Sequence, residues 1–270
     1  MTLFYIHILS KIESLHSKAL EFGTTLVLGV GLAPGLSNLM VKNLVNQFNK
    51  VYSTDIYLML GIGEKHGNDG VEWLLNNINN NYWICENGQN KYVSSFTDGK
   101  YVELPKKYGK RVAYRFNLAD QHILTKTLDL ENVSSRFFYD SVFTTKELAI
   151  LKQLGAFKLL KYKFFKNIFK KTFVGALHVF DTLKIGSNDY LIKAEVHGEI
   201  EGGKGSIESV LFGSNNTEIT GNVASIIGNK LIRNSYSAGV HYMEQLFDLN
   251  HILSILDGEV SYNYEMKFFE

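Results

Sequence analysis

Residues 26–40 read LVLGVGLAPGLSNLM, and their reading decides the fold. The apolar, β-branched run from Thr24 to Val30 predicts a strand buried on both faces. Gly29, Gly31 and Gly35 punctuate the loop that follows, and Ser37 or Asn38 opens a helix striped by Leu36, Met40, Leu44 and Phe48. Glycines between a strand and a helix N-terminus are the usual cradle for a pyrophosphate. Three features argue against that use. The acid about 20 residues downstream, Asp55, begins the next strand instead of ending it. Pro34 removes one N–H from the cradle. A helix striped by Ile12, Leu15, Ala19 and Phe22 already precedes the loop, with Ser10 and Glu13 as its expected capping box and Gly23 as its C-cap. The loop is expected to border a ligand crevice, or simply to join strand to helix, without gripping phosphate.

Moving outward, Asp55-IYLML-Gly61 predicts another buried strand, and this helix, strand, helix, strand order points to α/β structure with some parallel sheet. Beyond it the pattern changes. Asn68 or Asp69 caps a short helix carrying Trp73, Leu74 and Leu75. Residues 111–118 alternate, with Arg111, Ala113, Arg115 and Asn117 on one face and Val112, Tyr114, Phe116 and Leu118 on the other. Residues 133–140 also alternate, grouping Ser134, Arg136, Phe138 and Asp140. Thr144 and Glu147 suggest a second capping box, and Gly155 a helix stop. Two strands between Tyr190 and Phe212 flank the hairpin signal Glu201-Gly-Gly-Lys-Gly205. Two amphipathic helices are expected to finish the chain, one with Val223, Ile226, Ile227 and Leu231, the other with Met243, Leu246, Phe247, Leu253 and Leu256. The expected fold mixes α/β and α+β: an incomplete α/β portion (1–54), a largely antiparallel sheet domain of substrate or dimerisation type (55–213), and C-terminal helices (214–270) returning to the first portion.

Composition excludes some functions. A net charge of +1 over 270 residues gives no reason to expect nucleic acid or an anionic membrane. The single cysteine, Cys85, excludes an internal disulfide framework and fits a cytoplasmic location. No apolar run reaches spanning length, and the opening LFYIHIL lacks the marks of a secretory signal. His178, His197, His241 and His251 lack metal-ligand spacing, so no metal is expected. KLLKYKFFKNIFKKTF (158–173) predicts a packed helix with Phe157, Leu160, Phe164, Ile168 and Phe169 inward, or facing another subunit, and lysines outward.

The motifs taken together resemble one family. LGVGLAPGLSNLM (28–40), LGIGEKHGNDGVEW (60–73), GKRVAYRFNLADQHIL (109–124) and NVSSRFFYDSVFTTKELAILKQLG (132–155) are followed by TGNVASIIGNKL and AGVHYMEQLF. Their order resembles the saccharopine dehydrogenase-like oxidoreductases from about residue 12 to residue 256. The resemblance implies hydride transfer between NAD or NADP and a C–N bond of an amino-acid-derived substrate, in a protein that forms homodimers. It assigns G-x-x-P-G-L-S to the later part of a Rossmann-like domain. The family's earlier G-x-G-x-x-G cradle has no counterpart here, which implies dependence on a separately encoded Rossmann half. The alternative is a non-catalytic, truncated paralogue that binds a small ligand or acts as a dimeric interaction module.

Candidate site residues follow. His66, in the loop after a buried strand, is a candidate proton carrier. Asp120 is placed to cap a helix and also to serve as a catalytic group, with Gln121 and His122 beside it as substrate contacts. Arg115 and Arg136 offer bidentate donors to a substrate carboxylate, or else form ion pairs such as Arg136 with Asp140. Gly35 and Ser37 are expected at the cofactor side of the crevice. Glu64 is expected to be solvated.

Overall fold

The computed structural model describes residues 2–64, 68–182 and 186–268. In chain order its elements begin with α1 (Thr2–Glu13), α2 (His16–Glu21), β1 (Thr25–Leu28), α3 (Ser37–Val45), β2 (Lys50–Leu60) and α4 (Asn68–Asn77). Next come β3 (Asn81–Glu86), β4 (Gln89–Ser94), β5 (Lys100–Glu103), β6 (Lys110–Arg115), α5 (Asp120–Thr127) and β7 (Val133–Tyr139). They are followed by α6 (Val142–Gln153), α7 (Lys163–Thr182), β8 (Asp189–Ile200), β9 (Gly203–Ser214) and α8 (Asn216–Arg233). The last are β10 (Gly239–Tyr242), α9 (Met243–Leu246), α10 (Leu249–Ile255) and β11 (Val260–Phe268).

Seven strands form one sheet in the order β11-β9-β8-β2-β7-β6-β5, β3 and β4 form a separate hairpin, and β1 pairs in parallel with β10. Within the large sheet β2 and β7 are parallel and every other pairing is antiparallel. The mixed, largely antiparallel sheet with flanking helices is the class expected from the sequence pattern. The Glu201-Gly202 turn closes the β8–β9 hairpin where the glycine cluster predicts it. Helices α9 and α10 pack back on α3.

Local corrections have physical causes. Ser10 lies inside α1, so it caps nothing; the helix gives way at Ser14, whose hydroxyl donates to the Lys11 carbonyl. Strand β1 is short and only half-buried, because it has β10 on one side and, among the described residues, no strand on the other. Helix α6 is capped by Ser141, whose hydroxyl accepts from the Thr144 N–H at 3.2 Å, so Thr144 belongs to the helix itself. The last described element is a strand, not a helix. In β11 Tyr262, Tyr264, Met266 and Phe268 alternate with Ser261, Asn263, Glu265 and Lys267, a period of two. The second C-terminal helix is broken at Asp248, whose carboxylate caps α10 by accepting from His251 N–H. In α7, Phe164 and Ile168 point outward while Phe169 and Phe173 pack on the core, and Lys166 and Lys170 both pair with Glu72 of α4.

Two cores lie on opposite faces of the large sheet. Register aligns Leu58 with Phe137 and Leu60 with Tyr139, and these residues join the main core with α3, α4 and α8. The intervening pairs, Tyr57 with Arg136 and Met59 with Phe138, face the other way. Tyr57, Met59 and Phe138 join a smaller core with Tyr108, Leu191 and Val210. The α3 stripe of Leu36, Met40 and Leu44 is wholly buried in the main core, each side chain contributing about 1.5–3 kcal/mol.

Candidate functional site

A cavity of about 480 Å³ opens where the parallel strands β2 and β7 end. Leu58, Leu60, Phe137 and Tyr139 form its floor, Val71, Trp73 and Leu74 of α4 one wall, and residues 30–34 of the glycine loop another. Carboxyl ends of parallel strands are where open α/β sheets place ligands. Asn216, Thr217 and Thr220 from the first turns of α8 add polar groups to an otherwise apolar lining. Gly31 is required for this shape. Its φ is 152°, and a Cβ there would lie 3.1 Å from Thr220 Cγ2.

Glu64 builds the polar end of the cavity from behind. Its carboxylate accepts from the N–H groups of Asn216 (3.2 Å) and Thr217 (3.0 Å) and from both their side chains (2.6 and 2.9 Å). The expectation that Glu64 is solvated fails because the first turn of α8 has unsatisfied N–H groups to share. His66 lies outside the described residues.

Gly35 and Ser37 do not reach the cavity. Gly35 is buried with φ of 139°, and a Cβ on it would lie 3.0 Å from the Gly29 carbonyl oxygen and 3.4 Å from Met243 Sδ. Ser37 and Asn38 are fully enclosed, and Leu36 N–H is taken by the Gly31 carbonyl at 2.9 Å. A pyrophosphate needs open N–H groups at the helix start. Here the N–H groups of Leu36 and Ser37 turn inward to the Gly31 and Leu32 carbonyls, which closes the start of α3 to such a group.

The enclosed polar groups bind one another. Ser37 Oγ donates to Asp120, Asn38 Nδ2 to Glu244 Oε2 (3.2 Å), and Thr127 Oγ1 to Glu244 Oε1 (2.7 Å). Asp120 is not an N-cap as expected. Ala119 holds the cap position with helical angles, and Asp120 is the first residue of α5 with its carboxylate directed to Ser37. Its second oxygen has no partner among the described residues. Burial raises the Asp120 carboxyl to about 6 and the Glu244 carboxyl also moves upward by burial.

Gln121 and His122 are also committed to structure. Gln121 Nε2 donates to the Phe116 and Leu118 carbonyls at 3.0 and 3.2 Å, and its Oε1 accepts from Ser135 N–H at 3.2 Å. The amide thereby ties the exit of β6 to β7. His122 Nε2 lies 2.6 Å from Asn117 Oδ1, with the ring edge-on to Tyr82. Burial lowers the imidazole to about 4, which keeps it uncharged near neutrality.

Arg115 and Arg136 do meet, as direct register partners on β6 and β7. They lie on the sheet face opposite the cavity, in a cleft of about 350 Å³ that also contains Asp55, Glu86, Lys100 and Ser134. Arg115 Nε and Arg136 Nη2 both donate to Asp98 Oδ2, at 2.6 and 2.8 Å, and Arg136 Nη1 donates to the Asp98 carbonyl. Although burial opposes it, donation from Arg136 and Arg115 holds the Asp98 carboxyl below its ordinary value. The expected Arg136–Asp140 pair is absent. Asp140 instead accepts from Ile62 N–H, Ser187 N–H and Ser187 Oγ, fastening the loop before β8 to the end of β2.

The fold therefore joins Ser37 to Asp120 and Arg115 to Arg136, and separates both pairs from the cavity. Asp98, Glu64 and Glu244 escaped sequence reading because each acts on residues far away in the chain. Among the described residues no group of three or more His, Cys, Asp or Glu is arranged to hold a metal, and no helix is long and apolar enough to cross a membrane. No family model and no curated protein matches this chain.

Proposed function

We propose that this chain is the substrate-side portion of a saccharopine dehydrogenase-like oxidoreductase. It binds a small, amino-acid-derived molecule and leaves NAD or NADP to a separate nucleotide-binding half. The observation that carries this reading is the 480 Å³ cavity at the carboxyl ends of β2 and β7. Its apolar floor suits the carbon body of a small molecule, and Asn216, Thr217 and Thr220 supply the few polar groups that orient one. The closed start of α3 supports assigning the nucleotide elsewhere.

A second reading, a non-catalytic ligand-binding module, is favoured by one observation. Asp120, Gln121 and His122, candidates for catalysis and substrate contact, direct their hydrogen bonds to the protein itself. Titration of the purified chain with NADH and NADPH, followed by nucleotide fluorescence, tests the nucleotide assignment. No saturable change is expected, and tight binding by this chain alone overturns it. The cavity is probed with 1-anilinonaphthalene-8-sulfonate, which is displaced by the true ligand class. Addition of a nucleotide-binding half then separates the two readings, since only the first predicts nucleotide turnover.

A further inference from the structure

We propose that Arg115 and Arg136 form a second ligand site, specific for a small monocarboxylate, and that Asp98 occupies it as an internal stand-in for the ligand. The site is on the opposite face of the sheet from the cavity and is independent of the function proposed above.

Four observations support it. First, the arginines face one another directly across β6 and β7, with Arg136 only 4% exposed. Burying a guanidinium is costly unless a counter-charge is supplied. Second, the counter-charge is delivered from outside, by a residue whose side chain is 55% exposed. Third, Asp98 uses the arginines poorly. One oxygen, Oδ2, takes both guanidinium groups, and Arg136 Nε is left without a partner among the described residues. A free carboxylate can present both oxygens to two planar donors, the arrangement that guanidinium groups favour. Fourth, Asp98 sits at φ of 51° two residues after Phe96 at 57°, so this short turn holds two non-glycine residues in the left-handed region. Such conformations are disfavoured and persist where the surroundings impose them.

Charge selects the ligand. Without Asp98, the cleft lining holds Lys100, Arg115 and Arg136 against Asp55 and Glu86; Asp55 pairs with Lys100 and Glu86 with Arg115 and with Lys91 beyond the lining, which leaves Arg136 without a counter-charge. The excess of one positive charge matches a monocarboxylate better than a doubly charged phosphate. Binding exchanges the Asp98 carboxylate for the ligand's, while the β6–β7 pairing that sets the two arginines stays in place. Phe96 N–H to the Arg115 carbonyl (2.7 Å) and Arg115 N–H to the Thr97 carbonyl (3.0 Å) hold the turn during the exchange.

The test follows the arginine Nε–H resonances of Arg115 and Arg136 by nuclear magnetic resonance during titration with acetate or inorganic phosphate at matched ionic strength. Asp98→Asn removes the competing charge and keeps the side-chain shape. If Asp98 covers the arginines nine-tenths of the time, the variant binds acetate about tenfold more tightly than the native chain. Adding Arg136→Met to Asp98→Asn abolishes the response. Stronger binding of phosphate than of acetate overturns the carboxylate assignment. A folded Asp98→Asn protein with no saturable shift overturns the site altogether and leaves Asp98 as a structural ion pair. Should Asp98→Asn fail to fold, the native chain decides: acetate must move both Nε–H resonances saturably, and their failure to move overturns the proposal.

Discussion

The Ser37 hydroxyl donates to the Asp120 carboxylate, clasping α3 to α5 at a point where neither residue is exposed to solvent. The clasp leaves one carboxylate oxygen without a partner among the described residues and sets Asp120 near a second buried carboxyl, Glu244. Both features penalise ionisation. Asp120 therefore stands at about 6 against 3.8 for a free aspartate. With the folded value raised above the unfolded one, its protonated form favours folding. That contribution is complete below pH 3.8 and is lost as the pH rises through about 6. Asp120→Asn keeps an acceptor for Ser37 and cannot ionise. At pH 8 the variant should exceed the native chain in stability by on the order of 2–3 kcal/mol, converging with it in acid. Urea unfolding at a series of pH values measures the difference.

His122, two residues further on, carries the opposite sign for the same cause. Burial depresses its imidazole from 6.5 to about 4. Its contribution is present above pH 6.5 and is lost as the pH falls through about 4, because the unfolded chain takes up the proton first. The ring resonances should show a neutral imidazole at pH 6, where a solvent-exposed histidine is largely protonated. His122→Gln should flatten the loss of stability between pH 6.5 and 4.

Thr220→Phe places a ring at the cavity wall beside Gly31. Binding of 1-anilinonaphthalene-8-sulfonate should weaken at least about tenfold, equivalent to about 1.4 kcal/mol, with the circular dichroism spectrum preserved. Unchanged probe binding would place the occupied site elsewhere.

Glu64→Ala strips four hydrogen bonds from the start of α8. Loss of a cap with this many partners should cost about 2–3 kcal/mol, measured by denaturant midpoint. Glu64→Gln, which still accepts but lacks the charge that favours a helix N-terminus, should cost about half as much. Because Asn216 and Thr217 also border the cavity, probe affinity should fall along with stability in Glu64→Ala.

Features carried by local periodicity were legible in the sequence. The α3 stripe, the alternation in β6 and β7 and the glycine turn of the β8–β9 hairpin all depend on neighbours a few residues apart. The caps were less legible. Ser10 and Thr144 have the right spacing to an acid, yet each sits within a helix, and spacing alone does not say where a helix starts. Strand β11 alternates clearly but was obscured by the helical pattern immediately before it. The candidate site was least legible. Alternation puts Arg115 and Arg136 each on the polar face of its own strand but does not reveal that the two are register partners, and their partner Asp98 lies in a loop with no periodicity. Whether those faces shared a side with the glycine loop depended on how β2 and β7 align, a long-range register that no local pattern encodes.

The back-to-back placement of cavity and arginine cleft on β2 and β7 has a consequence for how this chain can change over evolutionary time. Neighbouring positions along β7 serve different surroundings, Phe137 the apolar cavity floor and Arg136 the charged cleft. Point substitutions can retune either surface separately. Gain or loss of a single residue within β7 would instead turn Arg136 toward the hydrophobic floor and Phe137 toward the charged cleft, ruining both at once. Length in these two strands should therefore be far less free to drift than side-chain identity, with insertions confined to the loops that join them.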